Sequence, residues 1–272
     1  MSELVTRKVL MRNFNRTRTV NISLPSNYNE PGRRFPVIYV LDGESALAAT
    51  AKKPEWSFCY DLTVDKLVAE EKFSGAIIVA VESANEYKKL FEKYTYPRDN
   101  EYSFDYGEEW HGWGDEFGNW LAYELKPYID ANFRTMPMRN YTGLFGSSLS
   151  ATYAIWAALK YPHIFSKVAA FSPGVSFSDG SDMASFKVPF AKLYKPNYRL
   201  KIYMEVGTTE NVPGGSTSNE KYLQDVLDFY NDYLGGIGFE LGEDVLLNIV
   251  EEGNHTTECW QKNVVEAIAW LM

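Results

Sequence analysis

Apolar residues along this chain fall into two patterns. Short unbroken apolar runs occupy residues 35–41, 76–81, 141–145, 168–171, 200–206 and 245–250. A run that is apolar at every position reads as a strand buried between two helical layers. Between the runs, apolar positions recur at helical spacing. The clearest case sets Phe117, Leu121, Leu125 and Ile129 on one stripe, with Trp120 and Tyr128 widening it. Pro127 lies inside that pattern and is expected to kink the helix. Further helices are predicted near residues 62–71, 149–160, 219–234 and 258–271. Two more polar segments with strand character, at 5–11 and 19–24, precede a turn rich in Pro, Asn and Gly at 25–32.

Buried strands alternating with amphipathic helices predict an α/β fold, with a mostly parallel central sheet and helices on both faces. The first two strands are expected to pair antiparallel at one edge. No repeat, linker or low-complexity tract divides the chain, so residues 1–272 read as a single domain.

Composition narrows this picture. A chain of 272 residues, 45% hydrophobic and 23% charged, has enough apolar material for a substantial core. Its formal net charge is −9 and it has no basic stripe, which argues against nucleic acid as a partner. Aromatic residues make up 15% of the chain. They fill cores and line organic-ligand pockets alike, and most are assigned to the core. Cys59 and Cys259 are too few for a disulfide framework and lack metal-site spacing. Two reduced thiols are expected, although one bridge between them stays open. Residues 1–10 carry charges and no apolar signal core, and no stretch has the length of a membrane span. A soluble, cytoplasmic chain is the expectation, and a homo-oligomer is open to it.

In a parallel sheet, ligands bind beyond the carboxyl ends of the strands. The run at 141–145 leads into Gly146-Ser147-Ser148-Leu149-Ser150 and then a helix. Such a strand-to-helix turn lifts its central serine above the sheet, and its flanks must be small because strand and helix backbones approach closely. The usual pattern is G-x-S-x-G, and Ser150 departs from it. One extra hydroxymethyl group is accommodated if the helix packs slightly farther out. The plainer alternative is a Gly/Ser loop in which Ser147 or Ser148 caps the helix.

A serine hydroxyl needs a base to act as a nucleophile. The chain has three histidines. His163 follows the nucleophile helix and suits a surface or capping role. His111 sits in a loop that could face substrate. His255 stands just after the last buried run and before the terminal helix, where the chain returns over the carboxyl edge. It is the candidate base. The orienting carboxylate should follow a strand between nucleophile and histidine, and Glu210 does so in Gly207-Thr208-Thr209-Glu210. Asp179, Asp182 and Asp244 compete. The first two lie in an irregular loop, and the last precedes its strand.

Acyl transfer also needs N–H donors aimed at the developing oxyanion. The backbone N–H of Leu149 is one candidate, at a helix N-terminus. The other is the N–H of Glu44, with Gly43 letting the loop after residue 41 turn inward; the alternative is a plain Asp-Gly turn. For substrate contact the candidates are Gly43, Trp110, His111 and Trp113. The two indoles suit a sugar face or a phenolic ring. Alternatively, Trp113 staples the helix start and Trp110 packs locally. Arg98 and Glu101 read as a structural pair, or as ligands for a polar substrate group.

Several segments together resemble the putative-esterase family of α/β-hydrolases, which includes esterase D, enterochelin esterases and feruloyl or acetyl-xylan esterase domains. They are Phe35-Pro36-Val37-Ile38-Tyr39-Val40-Leu41-Asp42-Gly43, Arg98-Asp99-Asn100-Glu101-Tyr102-Ser103 and Glu124-Leu125-Lys126-Pro127-Tyr128-Ile129-Asp130. Gly146-Ser147-Ser148-Leu149, the segment from Lys160 to Val168 with Phe171-Ser172-Pro173, Gly207-Thr208-Thr209-Glu210, and Gly253-Asn254-His255 ahead of Trp260 complete the set. The resemblance implies the α/β-hydrolase fold, a Ser148, Glu210, His255 triad and an oxyanion loop at Gly43-Glu44. It implies hydrolysis of a small-molecule ester, and that mechanism requires no metal or organic cofactor. Family elbows commonly end in two glycines, where this chain has Ser150-Ala151.

The leading expectation is a carboxylesterase for acetyl or aromatic acyl esters of a carbohydrate or small alcohol. A siderophore trilactone or an acylated thiol is the alternative within the same chemistry. Outside it stand an acyltransferase and a non-catalytic hydrolase-fold binding protein.

Overall fold

Each apolar run forms a strand of one sheet in the computed structural model, which describes residues 1–51, 53, 56–84, 97–106, 108, 111–177, 183–193, 197–212 and 218–272. In chain order the strands are β1 (Glu3–Met11), β2 (Arg16–Leu24), β3 (Val37–Leu41), β4 (Ile77–Val81), β5 (Thr142–Ser147), β6 (Lys167–Phe171), β7 (Lys201–Gly207) and β8 (Val245–Val250). They lie side by side in the order β1-β2-β4-β3-β5-β6-β7-β8. β2 pairs antiparallel with both β1 and β4, and every neighbouring pair from β4 across to β8 is parallel. The mostly parallel sheet and its antiparallel N-terminal edge are as the apolar pattern predicts.

The runs at β3 to β7 look featureless in sequence because both faces are covered, yet their side chains still alternate. The run at 245–250, expected to be buried, forms the edge strand β8, buried only at Val245 and exposed at Ile249. Val37, Tyr39 and Leu41 join one apolar layer, and Ile38 and Val40 join the other. Helices α1 (Tyr60–Ala69), α8 (Thr257–Gln261) and α9 (Val264–Leu271) cover the Ile38 face through Val64, Leu67, Trp260, Val264 and Ile268. Helices α3 (Gly114–Trp120), α4 (Lys126–Asn132), α5 (Leu149–Lys160) and α7 (Asn219–Asp228) cover the other face through Phe117, Ile129, Ala154 and Val226. The short helices α2 (Pro97–Glu101) and α6 (Lys187–Ala191) occur in the connections before α3 and before α7.

Two helix expectations change in detail. The irregularity expected at Pro127 takes the form of a wider π turn, Leu121–Leu125, between α3 and α4. Proline has no N–H to return to the preceding turn, and the helix accommodates this by widening rather than breaking. The helix expected at 258–271 is two helices. α8 is a short helix capped by Thr256, whose hydroxyl accepts the N–H of Cys259 at 3.3 Å; α9 starts after Asn263.

Because β3, β5, β6, β7 and β8 are parallel, their carboxyl ends share one edge of the sheet. That edge gathers Asp42 to Glu44, Ser148, Ser172, Glu210 and His255 from five separate loops. Among the described residues, no helix is long and apolar enough to cross a membrane.

Candidate active site

Ser148 stands at the junction of β5 and α5 in a strained backbone conformation, φ 55° and ψ −127°. A non-glycine residue in such a region persists only where its surroundings hold it. Its N–H donates to the carbonyl of Phe171 at 2.8 Å, which anchors the turn to β6. Its hydroxyl makes no capping bond to α5, so the N-cap alternative does not describe this serine. Gly146 is required by the close approach anticipated for an elbow. A Cβ there would lie 2.4 Å from the carbonyl oxygen of Ser150.

Ser150 resolves differently from the expectation that α5 packs farther out. Its hydroxyl folds back into the elbow, donating to the carbonyl of Ser147 at 2.8 Å and accepting the N–H of Ser147 at 3.0 Å. The extra group is fully buried and bonded both ways, so it braces the turn from within.

The acid and histidine loops are fastened together at the ends of β7 and β8. The N–H and the hydroxyl of Thr209 both donate to the carbonyl of Gly253, each at 2.8 Å. Contact is so close that a Cβ on Gly207 would sit 2.1 Å from that same oxygen. Across this junction His255 Nδ1 lies 2.7 Å from Glu210 Oε2, with the side chains 8% and 1% exposed. The other carboxylate oxygen, Oε1, accepts the N–H of Gly207 at 2.7 Å and the hydroxyl of Ser172 at 2.6 Å. An imidazole held this way carries its proton on Nδ1 and presents Nε2 as a base. Edge-on contacts from Trp260, at 5.0 Å between ring centroids, and Tyr222, at 5.7 Å, flank the ring.

Of the rival acids, Asp244 accepts the N–H of Glu240 at the start of β8, at the opposite edge of the sheet. Asp179 and Asp182 lie outside the described residues.

The loop after β3 turns in a tight helical turn at Gly43–Ser45. The left-handed residue is Asp42, φ 54°, rather than Gly43. Gly43 is needed for another reason: a Cβ there would lie 2.5 Å from the backbone of Ala80 and Val81 in β4. Arg98 grips the Asp42 carboxylate with two bonds, of 2.7 and 2.6 Å. The Glu44 carboxylate accepts the N–H and hydroxyl of Ser83. Leu149 opens α5, where first-turn N–H groups have no acceptor within the helix.

One expectation on this side changes. Arg98 and Glu101 do not pair with each other. Glu101 forms a buried two-bond ion pair with Arg18 of β2, and Arg98 goes to Asp42. Trp113 packs edge-on against Phe14, and His111 is an exposed side chain 3.6 Å from Asp105. Neither joins the hydrogen-bonded set of Glu210 and His255. Trp110 lies outside the described residues.

Sequence reasoning also passes over Ser172, Trp260 and Tyr222 as functional groups. Ser172 follows a strand at the carboxyl edge, so the rule that points to Ser148 and Glu210 would have singled it out. Tyr222, inside a helix, carries no comparable signal.

Beneath the site, Glu205 of β7 is 1% exposed, and its Oε1 has no hydrogen-bond partner among the described residues. Burial pushes its carboxyl up to about 7, against hydrogen bonds from Asn263 and Tyr203, while the charges of Glu266 and Glu210 add to the rise. In the unfolded chain the same group loses its proton at the ordinary, lower pH. Between those limits the folded state keeps a proton that the unfolded state has released. Stability therefore falls through this group as pH rises from about 4.5 to 7, then levels off. We expect Glu205→Gln to gain on wild type by up to about 3 kcal/mol between pH 5 and 8, on the scale of about 1.4 kcal/mol per pH unit. Urea melts of both proteins across that range test this, and a difference independent of pH would refute it.

Residues 12–271 match the family model described as "Putative esterase". The uncharacterized protein YbbA of Bacillus subtilis (strain 168) is 22% identical over 255 residues, covering 93% of this chain and 92% of that one. A solved ferulic acid esterase superposes with a TM-score of 0.71 at 19% identity, covering 100% of this chain and 98% of the other. The enterobactin esterase FES from Shigella flexneri gives 0.71 at 17% identity, covering 100% of this chain and 58% of that longer one. At such identities the structures speak for the α/β-hydrolase type of fold, and the family match speaks for the chemistry. With that match running almost end to end, the chain belongs to the putative-esterase family and is a carboxylic ester hydrolase.

Proposed function

We propose that this protein is a serine carboxylesterase that cleaves small acyl esters through an acyl-enzyme. Ser148 is the nucleophile, His255 the general base and Glu210 its orienting carboxylate. The observation that carries the reading is the 2.7 Å bond from His255 Nδ1 to Glu210, on the same sheet edge as a serine held in an elbow.

In the first step His255 Nε2 takes the proton of the Ser148 hydroxyl as its oxygen attacks the ester carbonyl. The tetrahedral oxyanion is received by the N–H groups of Leu149 and Glu44; each such donor is worth about 3 kcal/mol in the transition state. The imidazolium then gives its proton to the departing alcohol, leaving an acyl-serine. Water attacks that ester with His255 again as base, and the acid and free Ser148 are released.

For the acyl group we favour acetyl or aromatic acids, on a carbohydrate or a small alcohol. The half-buried ring of Tyr222 beside the imidazole supports this, as does the name of one structural neighbour, a ferulic acid esterase. A siderophore ester is the second reading, favoured by the likeness to an enterobactin esterase. The free thiols Cys59 and Cys259 suit a reducing, cytoplasmic setting.

Turnover of p-nitrophenyl esters from acetate to octanoate tests the class and sizes the acyl site. A protein that is inert to all of them and takes no fluorophosphonate label would sink the reading.

A further inference from the structure

Ser172 closes a network that no local motif describes. It follows β6 with φ 45°, in the left-handed region, and is completely buried. A buried residue other than glycine held there is strained, so its surroundings fix it. Its N–H donates to the carbonyl of Glu205 at 2.7 Å, and its own carbonyl accepts the hydroxyl of Tyr222 at 2.7 Å. Its side chain accepts the indole N–H of Trp260 at 2.8 Å and donates to Glu210 Oε1 at 2.6 Å.

The direction of these bonds is decided by chemistry. An indole N–H can only donate, so the Ser172 oxygen receives it and the single hydroxyl proton is left for Glu210. Glu210 Oε1 then accepts two donors, from Ser172 and Gly207. An oxygen with two donors aimed at it has no room for a proton. The carboxylate plane is pinned, and Oε2 faces His255 as an acceptor.

We infer that Ser172 is a positioning residue for the hydrolytic step, resting on the proposed Ser148, His255, Glu210 assignment. It orients Glu210, and through Glu210 it holds the Nδ1–H tautomer of His255 that leaves Nε2 free to accept the serine proton. Trp260 in turn fixes the rotor of Ser172. Because Trp260 belongs to α8, just after His255, the same bond ties the histidine loop to β6. Phe171, the residue before Ser172, holds the elbow by accepting the Ser148 N–H. Two adjacent residues thus register all three loops against one another.

The test uses two variants of the full chain. Ser172→Gly removes the hydroxyl while easing the backbone, since glycine adopts positive φ without cost. Trp260→Phe removes the N–H and keeps most of the ring. A hydrogen bond to a charged group sets the scale, so Ser172→Gly should lower kcat by about 10- to 100-fold. KM should stay within about twofold, because the bond acts on chemistry and not on substrate contact. Trp260→Phe should lower kcat in the same sense by less. Proton NMR supplies a readout that a purely structural role would not move. The far-downfield Nδ1–H resonance of His255 in wild type should broaden or shift in both variants. Full kcat with an unchanged resonance in a folded Ser172→Gly overturns the inference. If Ser172→Gly does not fold, an unchanged kcat and resonance in Trp260→Phe overturn it instead. Ser148→Ala, run alongside, separates the two layers: activity surviving there removes the triad itself, whereas activity lost there but kept in Ser172→Gly removes only the role of Ser172.

Discussion

Ser148→Ala should lower kcat for p-nitrophenyl acetate by about ten-thousandfold or more, and His255→Ala by a similar factor. The two losses should not multiply. In the proposed mechanism nucleophile and base act in one proton transfer, so removing either leaves the other without a task. The double variant should retain the same small residue of activity as each single one. That residue would come from the oxyanion donors, which belong to the backbone and survive both substitutions. Folding should be little affected by the loss of the serine hydroxyl, which caps nothing on α5. Steady-state kinetics of the three variants, with melting temperatures alongside, test this. Retention of more than a few per cent of wild-type kcat by Ser148→Ala would exclude it as nucleophile.

Glu210→Gln should cost about a thousand- to ten-thousandfold in kcat, and the structure explains why so small a change is so damaging. Glutamine replaces one oxygen by an NH2 group. That group cannot occupy the Oε1 position, where the Gly207 N–H and the Ser172 hydroxyl both point inward as donors. It must take the Oε2 position, 2.7 Å from His255 Nδ1. A donor there requires Nδ1 to accept, which moves the imidazole proton to Nε2. In the proposed mechanism Nε2 then has no lone pair left to accept the Ser148 proton. Substrate affinity should change little, since Glu210 is buried and out of contact with solvent. Measuring kcat and KM separately checks this split. A Glu210→Gln enzyme with near wild-type kcat would mean another group orients the histidine.

The same residues show how much was legible before the fold was known. Strand and helix positions were readable because burial on both faces leaves unbroken apolar runs, and one covered face leaves a helical stripe. Ser148, Glu210 and His255 were readable because each follows a run that must be a strand, and parallel strands put such positions on one edge. Gly146 was readable because an elbow brings two backbones together whatever the surroundings.

Other features were settled only when the chain folded. Ser150 reads as a departure from a pattern, yet its hydroxyl closes on Ser147 at distances no sequence displays. Arg98 and Glu101 are near in sequence and natural partners by charge. The sheet order instead carries Arg18 to Glu101 across 83 positions and Asp42 to Arg98 across 56. Ser172 reaches Glu210 across 38 positions and Trp260 across 88. Local spacing reports periodicity, and periodicity reports burial, so the amino-acid sequence by itself determined which segments lie inside and which residues emerge at the reactive edge. Which of those residues touch depends on strand order and on donors left to be satisfied in a dry interior. Only the tertiary structure decided that the carboxylate of Glu210 is held by a serine, a glycine N–H and a histidine at once.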